Sequence, residues 1–152
     1  MENRAGTFKL LENWKFETVE KETGKILSSE EFTNTIVNNG LERMARLCMG
    51  DSSTYFRALA VGTGTTAVVN TDTALEIENT RSLATLTYEA SYKAKFYKRF
   101  TFGSSYSITE AGIFDSTTVS GSTMLARTVF AAKSVSSSVD LIVTAIITFA
   151  RI

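Results

Sequence analysis

The sequence predicts an all-β domain, a mainly antiparallel β-sandwich or a jelly-roll or tulip-like variant of one, with a single short α-helix near residues 39–49. Two patterns carry that prediction. After Gly50 the chain falls into short runs rich in Val, Ile, Thr, Phe and Tyr, separated by Gly and Ser clusters, as strands and turns of a double sheet would be. Helical spacing of apolar residues occurs convincingly only once, just before Gly50.

The first element is residues 8–19, FKLLENWKFETV, where Trp14, Phe16 and Thr18 alternate with Lys15, Glu17 and Val19 at close to the period of a half-buried strand. Glu22, Thr23, Gly24 and Lys25 read as a turn and Ile26-Leu27 as a short return strand. Residues 1–33 are therefore expected to form an N-terminal arm or hairpin, set apart from a β-sandwich domain at 34–152. The helix follows, with Leu41, Met44, Ala45 and Cys48 on one face. Asn39 is placed to cap its first turn, with Glu42 three residues on, and Gly50 supplies a left-handed stop. Further strands are expected at 55–61, within 81–102 as one or two segments, and at 107–115, 123–130 and 141–152. Turns separate them at 103–105, 116–122 and 134–138, and a long polar connection runs from Gly62 to about Asp72.

A length of 152 residues suits one core rather than two. Sixteen basic and sixteen acidic residues cancel, so no overall field draws the chain to nucleic acid or acidic lipid, and neither is expected as a partner. Neutrality, together with a complete lack of proline to guard edge strands, hints at self-association. Charge is also uneven: fifteen charged residues fall in 1–46 and six in 101–152, so the C-terminal third needs protein surface on more than one side. Residues 1–7 are polar and no apolar run approaches ~20 residues, so neither a leader nor a membrane span is expected and synthesis is cytoplasmic.

Histidine is absent and Cys48 is the sole cysteine, which removes Ser-His and Cys-His nucleophiles, internal disulfides and multi-cysteine zinc sites together. The Gly62-Thr63-Gly64-Thr65-Thr66 loop follows a strand but lacks a third glycine, a Gly-Lys-Ser/Thr continuation and a helix behind it, so it reads as a turn rather than a phosphate cradle. Asp72, Glu76, Glu78, Glu110 and Asp115 are the carboxylates to inspect for paired acid and base work. Glu78 and Arg81 stand close enough for an ion pair, and Glu110 suits a backbone or arginine partner better than a sugar. Lys93, Lys95, Tyr97 and Arg99 share one strand face, opposite Ala94, Phe96, Phe100 and Phe102, and form a solvated or docking stripe. Tyr55, Tyr88 and Tyr106 with the Ser/Thr/Asn loops offer a weak carbohydrate signal. No catalytic residue, metal ligand or cofactor is assigned, and the chain is not expected to be an enzyme.

TNTIVNNGLERMARLCMGD, then FRALAVGTGTTAVVNTDTALEIENTR, ITEAGIFDS and SGSTMLARTVF, read in that order, resemble a family of small tailed-bacteriophage virion structural proteins. The likeness runs from about Asn34 to Phe130 and rests on the order of its parts: helix, glycine-threonine loop, acidic stretch ending in Arg, EAGIFD, MLAR. It implies a structural role in the virion, most directly as a capsid decoration or cement protein on the phage head, with tail, baseplate or fibre as the alternative. It also implies a homo-oligomer, a trimer by the symmetry met on heads, with the major capsid protein as partner. Within the motifs Gly62, Gly64 and Gly112 permit close backbone packing, while Leu59, Val61, Leu75, Ile113, Phe114 and Leu125 read as core. The segment before Asn34 lies outside the likeness, and Trp14 and Phe16 are either its natural docking anchors or part of this domain's own core.

Overall fold

A computed structural model describes residues 6–151 as nine strands and one helix. The elements are β1 (Phe8–Glu20), β2 (Ile26–Thr33), α1 (Asn38–Cys48), β3 (Ala58–Gly62), β4 (Glu78–Leu83), β5 (Thr85–Glu89), β6 (Lys93–Phe100), β7 (Tyr106–Phe114), β8 (Met124–Val135) and β9 (Val139–Arg151). They build two antiparallel sheets, a five-stranded one in the order β2-β1-β9-β6-β5 and a four-stranded one in the order β4-β3-β7-β8. The fold is an all-β sandwich with one short helix.

Of the two shapes expected for the N-terminal segment, residues 8–33 take the hairpin, β1 antiparallel to β2, and it is built into the five-stranded sheet. All thirteen residues of β1 pair with β9, from Phe8 opposite Arg151 to Glu20 opposite Val139, while its other edge takes β2. Alternation along β1 explains why: even-numbered Trp14, Phe16 and Thr18 turn into the sandwich and are buried, leaving Lys15 and Glu17 on the outer face. Trp14 and Phe16, read from sequence as docking anchors or as core, occupy the centre of this domain's own core. Phe16 stacks on Phe130 of the opposite sheet at 3.9 Å between ring centroids and on Phe32 of β2 at 5.3 Å. Two large aromatics offset the conformational cost of ordering this strand far better inside than on a rim.

The expected single or double strand within 81–102 resolves into three. β4 belongs to the four-stranded sheet, and after Ala84 the chain crosses to lay β5 and β6 on the five-stranded one. Beyond the main core lies a second apolar cluster, Val37, Ala58, Ala60, Leu75, Phe114 and Met124. It sits on the outer face of the four-stranded sheet, under α1 and the loop at 63–77. The structure thus has a third, thin layer on one side only.

The helix departs from expectation in two respects. Its N-cap is Val37, with no side-chain cap hydrogen bond, so Asn39 lies inside the helix rather than at its start. Its packed face is Gly40, Arg43, Met44 and Leu47, spaced i, i+3, i+4 and i+7, whereas Leu41, Ala45 and Cys48 are exposed. Gly40 decides the orientation: a Cβ there would stand 2.4 Å from the Leu125 carbonyl oxygen, so only glycine lets the helix lie this close to β8. Gly50 ends the helix with φ of 73°.

Candidate functional site

The motif residues gather on the loop-covered face of the four-stranded sheet. Glu110, in β7, is fully buried there with every acceptor position engaged. Its Oε1 accepts from the backbone N–H groups of Gly64 (3.0 Å) and Ile77 (2.8 Å), and its Oε2 from that of Glu76 (3.0 Å) and from Arg127 Nε (3.0 Å). Arg127, on neighbouring β8, continues outward to Asp72 Oδ2 at 3.0 Å and the Thr66 carbonyl at 3.0 Å. One buried ion pair therefore ties both ends and the middle of the 63–77 loop to the sheet. Small residues make room for it: a Cβ at Gly62 would meet the Ile77 carbonyl oxygen at 2.3 Å, and one at Gly64 would meet Glu110 Oε1 at 2.5 Å. Gly112 lies between Phe114 and Leu75 in the same layer.

Two further arginines repeat the device. Arg81 pairs with Glu78 at 2.7 Å, lies 3.6 Å above the Phe114 ring, and donates to the Ser116 carbonyl (3.1 Å) and Ser122 Oγ (2.8 Å), fixing the loop at 115–123. Arg43 of α1 donates to Asp115 Oδ2 at 2.7 Å, Thr123 Oγ1 at 2.9 Å and the Thr54 carbonyl at 3.0 Å, fixing the helix to that loop. Of the five carboxylates singled out from sequence, Asp72, Glu78, Glu110 and Asp115 each meet an arginine. Glu76 accepts from Thr66, whose hydrogen bonding holds its carboxyl below the ordinary range. Arg43 and Arg127 carried no expectation beforehand, since their partners lie 72 and 17 residues away.

Lys93, Lys95, Tyr97 and Arg99 do share the outer face of the five-stranded sheet, opposite Thr148, Ile146, Thr144 and Ile142 of β9. Their charge is partly spent within the chain: Lys95 meets Glu89 at 3.2 Å and Arg99 meets Asp140 at 2.8 Å. Tyr88 and Tyr106 line separate depressions and do not form one sugar site. Among the described residues no group of three or more Cys, Asp or Glu is placed to hold a metal ion, and no helix is long and apolar enough to cross a membrane.

Sequence reasoning passed over the other end of the molecule. There, among the described residues, several inner-face side chains of the five-stranded sheet are exposed around the buried Glu12 and Ile147. Leu10 pairs with Phe149, and Ile147, Ala94 and Tyr88 follow in one cross-strand row, with Leu86 opposite Phe96 in the next. Phe8 is 62% exposed, Tyr88 72% and Phe149 39%. Beside them a cleft of about 600 Å³ opens between β1 and α1, walled by Phe8, Leu10, Glu12, Ile36 and Leu41. Glu12 is only 3% exposed; its Oε1 accepts from Trp14 Nε1 and its Oε2 has no partner. Desolvation lifts its carboxyl from 4.5 to about 8, so near neutral pH it is mostly an uncharged acid. Even-numbered position in β1, the same face as Trp14, was the signal that could have found it. No protein-family model, curated protein or solved structure matches the chain.

Proposed function

We propose that this protein is a structural component of a tailed-phage virion, a decoration protein that binds the outside of the head and reinforces contacts between capsomers. The observation that carries the reading is spatial. The stretches that resemble phage virion proteins, scattered from about Asn34 to Phe130, build the four-stranded sheet and its arginine-stapled cover, while the strands of the five-stranded sheet lie outside them. Three arginines hold the loops at 63–77 and 115–123 in fixed positions, with Val69 and Val119 exposed on them. Such a rigid, mixed surface suits docking on the major capsid protein, since little loop entropy is lost on binding. Many copies, each burying modest area, would add resistance to internal pressure by avidity.

A tail or baseplate position is the second reading, favoured by one observation: Arg81 of β4 holds the 115–123 loop in place at the edge of the four-stranded sheet, as a tip contacting glycan or a tail neighbour requires. Quantifying the protein in purified DNA-filled heads and in detached tails separates the two. Hundreds of copies per head support decoration. A few copies confined to tails overturn it in favour of the second reading, and absence from both overturns the virion role altogether.

A further inference from the structure

We infer that the open end of the five-stranded sheet is the surface on which a second copy of this chain docks, with an aromatic knob of one subunit seated in the β1–α1 cleft of the next. This deepens the assembly reading above by naming a partner, and it leaves the loop face free for the particle.

Four observations converge on it. Phe8, Leu10, Phe149, Ala94, Tyr88 and Leu86 lie on the same inner face, because register places them on the same side of adjacent strands, with buried Ile147 between the Phe149 and Tyr88 groups. The three rings at their fractional exposures leave on the order of 350 Å² of aromatic surface in water, and Leu86 with Leu41 bring the apolar patch to roughly 500 Å². That is near the upper end for an ordinary monomer and large enough for the apolar centre of a standard footprint of ~800 Å² per partner. Knob and hole lie on the same end of the molecule: Tyr88 and Phe8 project, and the cleft of about 600 Å³ has room for a ring. A surface that carries both members of a complementary pair can close on copies of itself by rotation.

Electrostatics sets one condition. Two ionisable side chains share this face, Arg151 opposite Phe8 at the end of β1 and Glu12 opposite Ile147. Glu12 is uncharged near neutral pH and the chain is neutral overall, so among the described residues Arg151 is the one charge that two docking copies must keep apart. Glu12 in the cleft wall is compatible with an apolar visitor because it enters the contact uncharged; Lys9 is the other titratable group lining the cleft, and its strand position puts it on the outer face.

Sedimentation velocity on the full chain tests this between about 1 and about 100 μM, the range in which an interface of this size is expected to associate. Wild type should form a defined oligomer. Phe8→Asp and Tyr88→Asp, both at well-exposed positions, should each weaken association at least about tenfold while far-UV circular dichroism and cooperative melting stay unchanged. Tyr97→Asp, on the opposite face, should associate as wild type does. A wild type monomeric throughout, or aspartate variants that associate normally, overturns the inference. A chain lacking residues 1–5 supplies the remaining arm: if it associates where the full chain does not, the N-terminal segment is the occupant and the inference falls. Virion location is measured separately, so an associating protein absent from particles refutes the virion role alone, and a monomer found on heads refutes the interface alone.

Discussion

Replacing Glu12 by glutamine substitutes a permanently neutral amide of the same shape for an acid that burial keeps protonated to about pH 8. The unfolded chain releases that proton near 4.5, so between the two values the folded state binds the extra proton. Stability tied to this group is therefore complete below the lower value, falls as the pH rises through the window, and is lost above the upper one. Each pH unit inside the window removes about 1.4 kcal/mol, and the full interval about 5 kcal/mol, against a total of ~5–15 kcal/mol for a domain. The window is otherwise quiet, because the chain has no histidine to titrate within it. Urea denaturation at pH 5, 6, 7 and 8, followed through Trp14, the only tryptophan and a direct neighbour of Glu12, reads the effect. Wild type should lose stability steadily across the series, and Glu12→Gln should stay nearly level, so that the variant becomes the more stable protein at pH 8. Parallel curves for the two proteins would show that Glu12 is ionised or solvated in the folded state, and the reasoning would fail.

Three other outcomes follow from the packing. Glu110→Ala takes from buried Arg127 its fully buried carboxylate, leaving only Asp72, and strips three backbone amides of their acceptor, which should cost about 3–5 kcal/mol and open the 63–77 loop to limited proteolysis. Gly40→Ala drives a methyl group against the Leu125 carbonyl; the helix should detach, with faster cleavage between residues 34 and 51 and a lower melting temperature. Removing residues 1–33 deletes β2 and the central β1 together with Trp14 and Phe16, so no cooperative unfolding transition should remain in a calorimetric scan of the 34–152 fragment.

What the sequence reveals and what it hides divides along chain separation. Strand alternation around Trp14, the stop at Gly50, the Glu78–Arg81 pair and an amide or arginine partner for Glu110 were all legible from neighbours within a few residues. The placement of β1 was not, because its main partner β9 starts at Val139 and nothing local marks a strand as central rather than peripheral. Large aromatics among charges read equally as a docking tip or as one face of an alternating strand, and only the distant partner decides. The helix face was misjudged for a related reason: the closest contact is made by Gly40, which adds no apolar signal to a periodicity count. Arg127 was visible within MLAR but had no assignable role, since its ligands Asp72, Thr66 and Glu110 come from two separate segments.

Pairing of β1 with β9 also governs when the proposed docking surface comes into being. The open apolar stripe takes Phe8 and Leu10 from the first strand, Tyr88 from the middle of the chain and Phe149 from the last strand. A nascent chain still short of residue 149 has no such stripe, only β1 paired with β2 along one edge. Contacts this distant in sequence form slowly, so the surface matures at the close of folding rather than during synthesis. The self-association proposed through it would consequently be reserved for finished subunits, and a truncated or half-folded copy would be screened out without any separate proofreading factor.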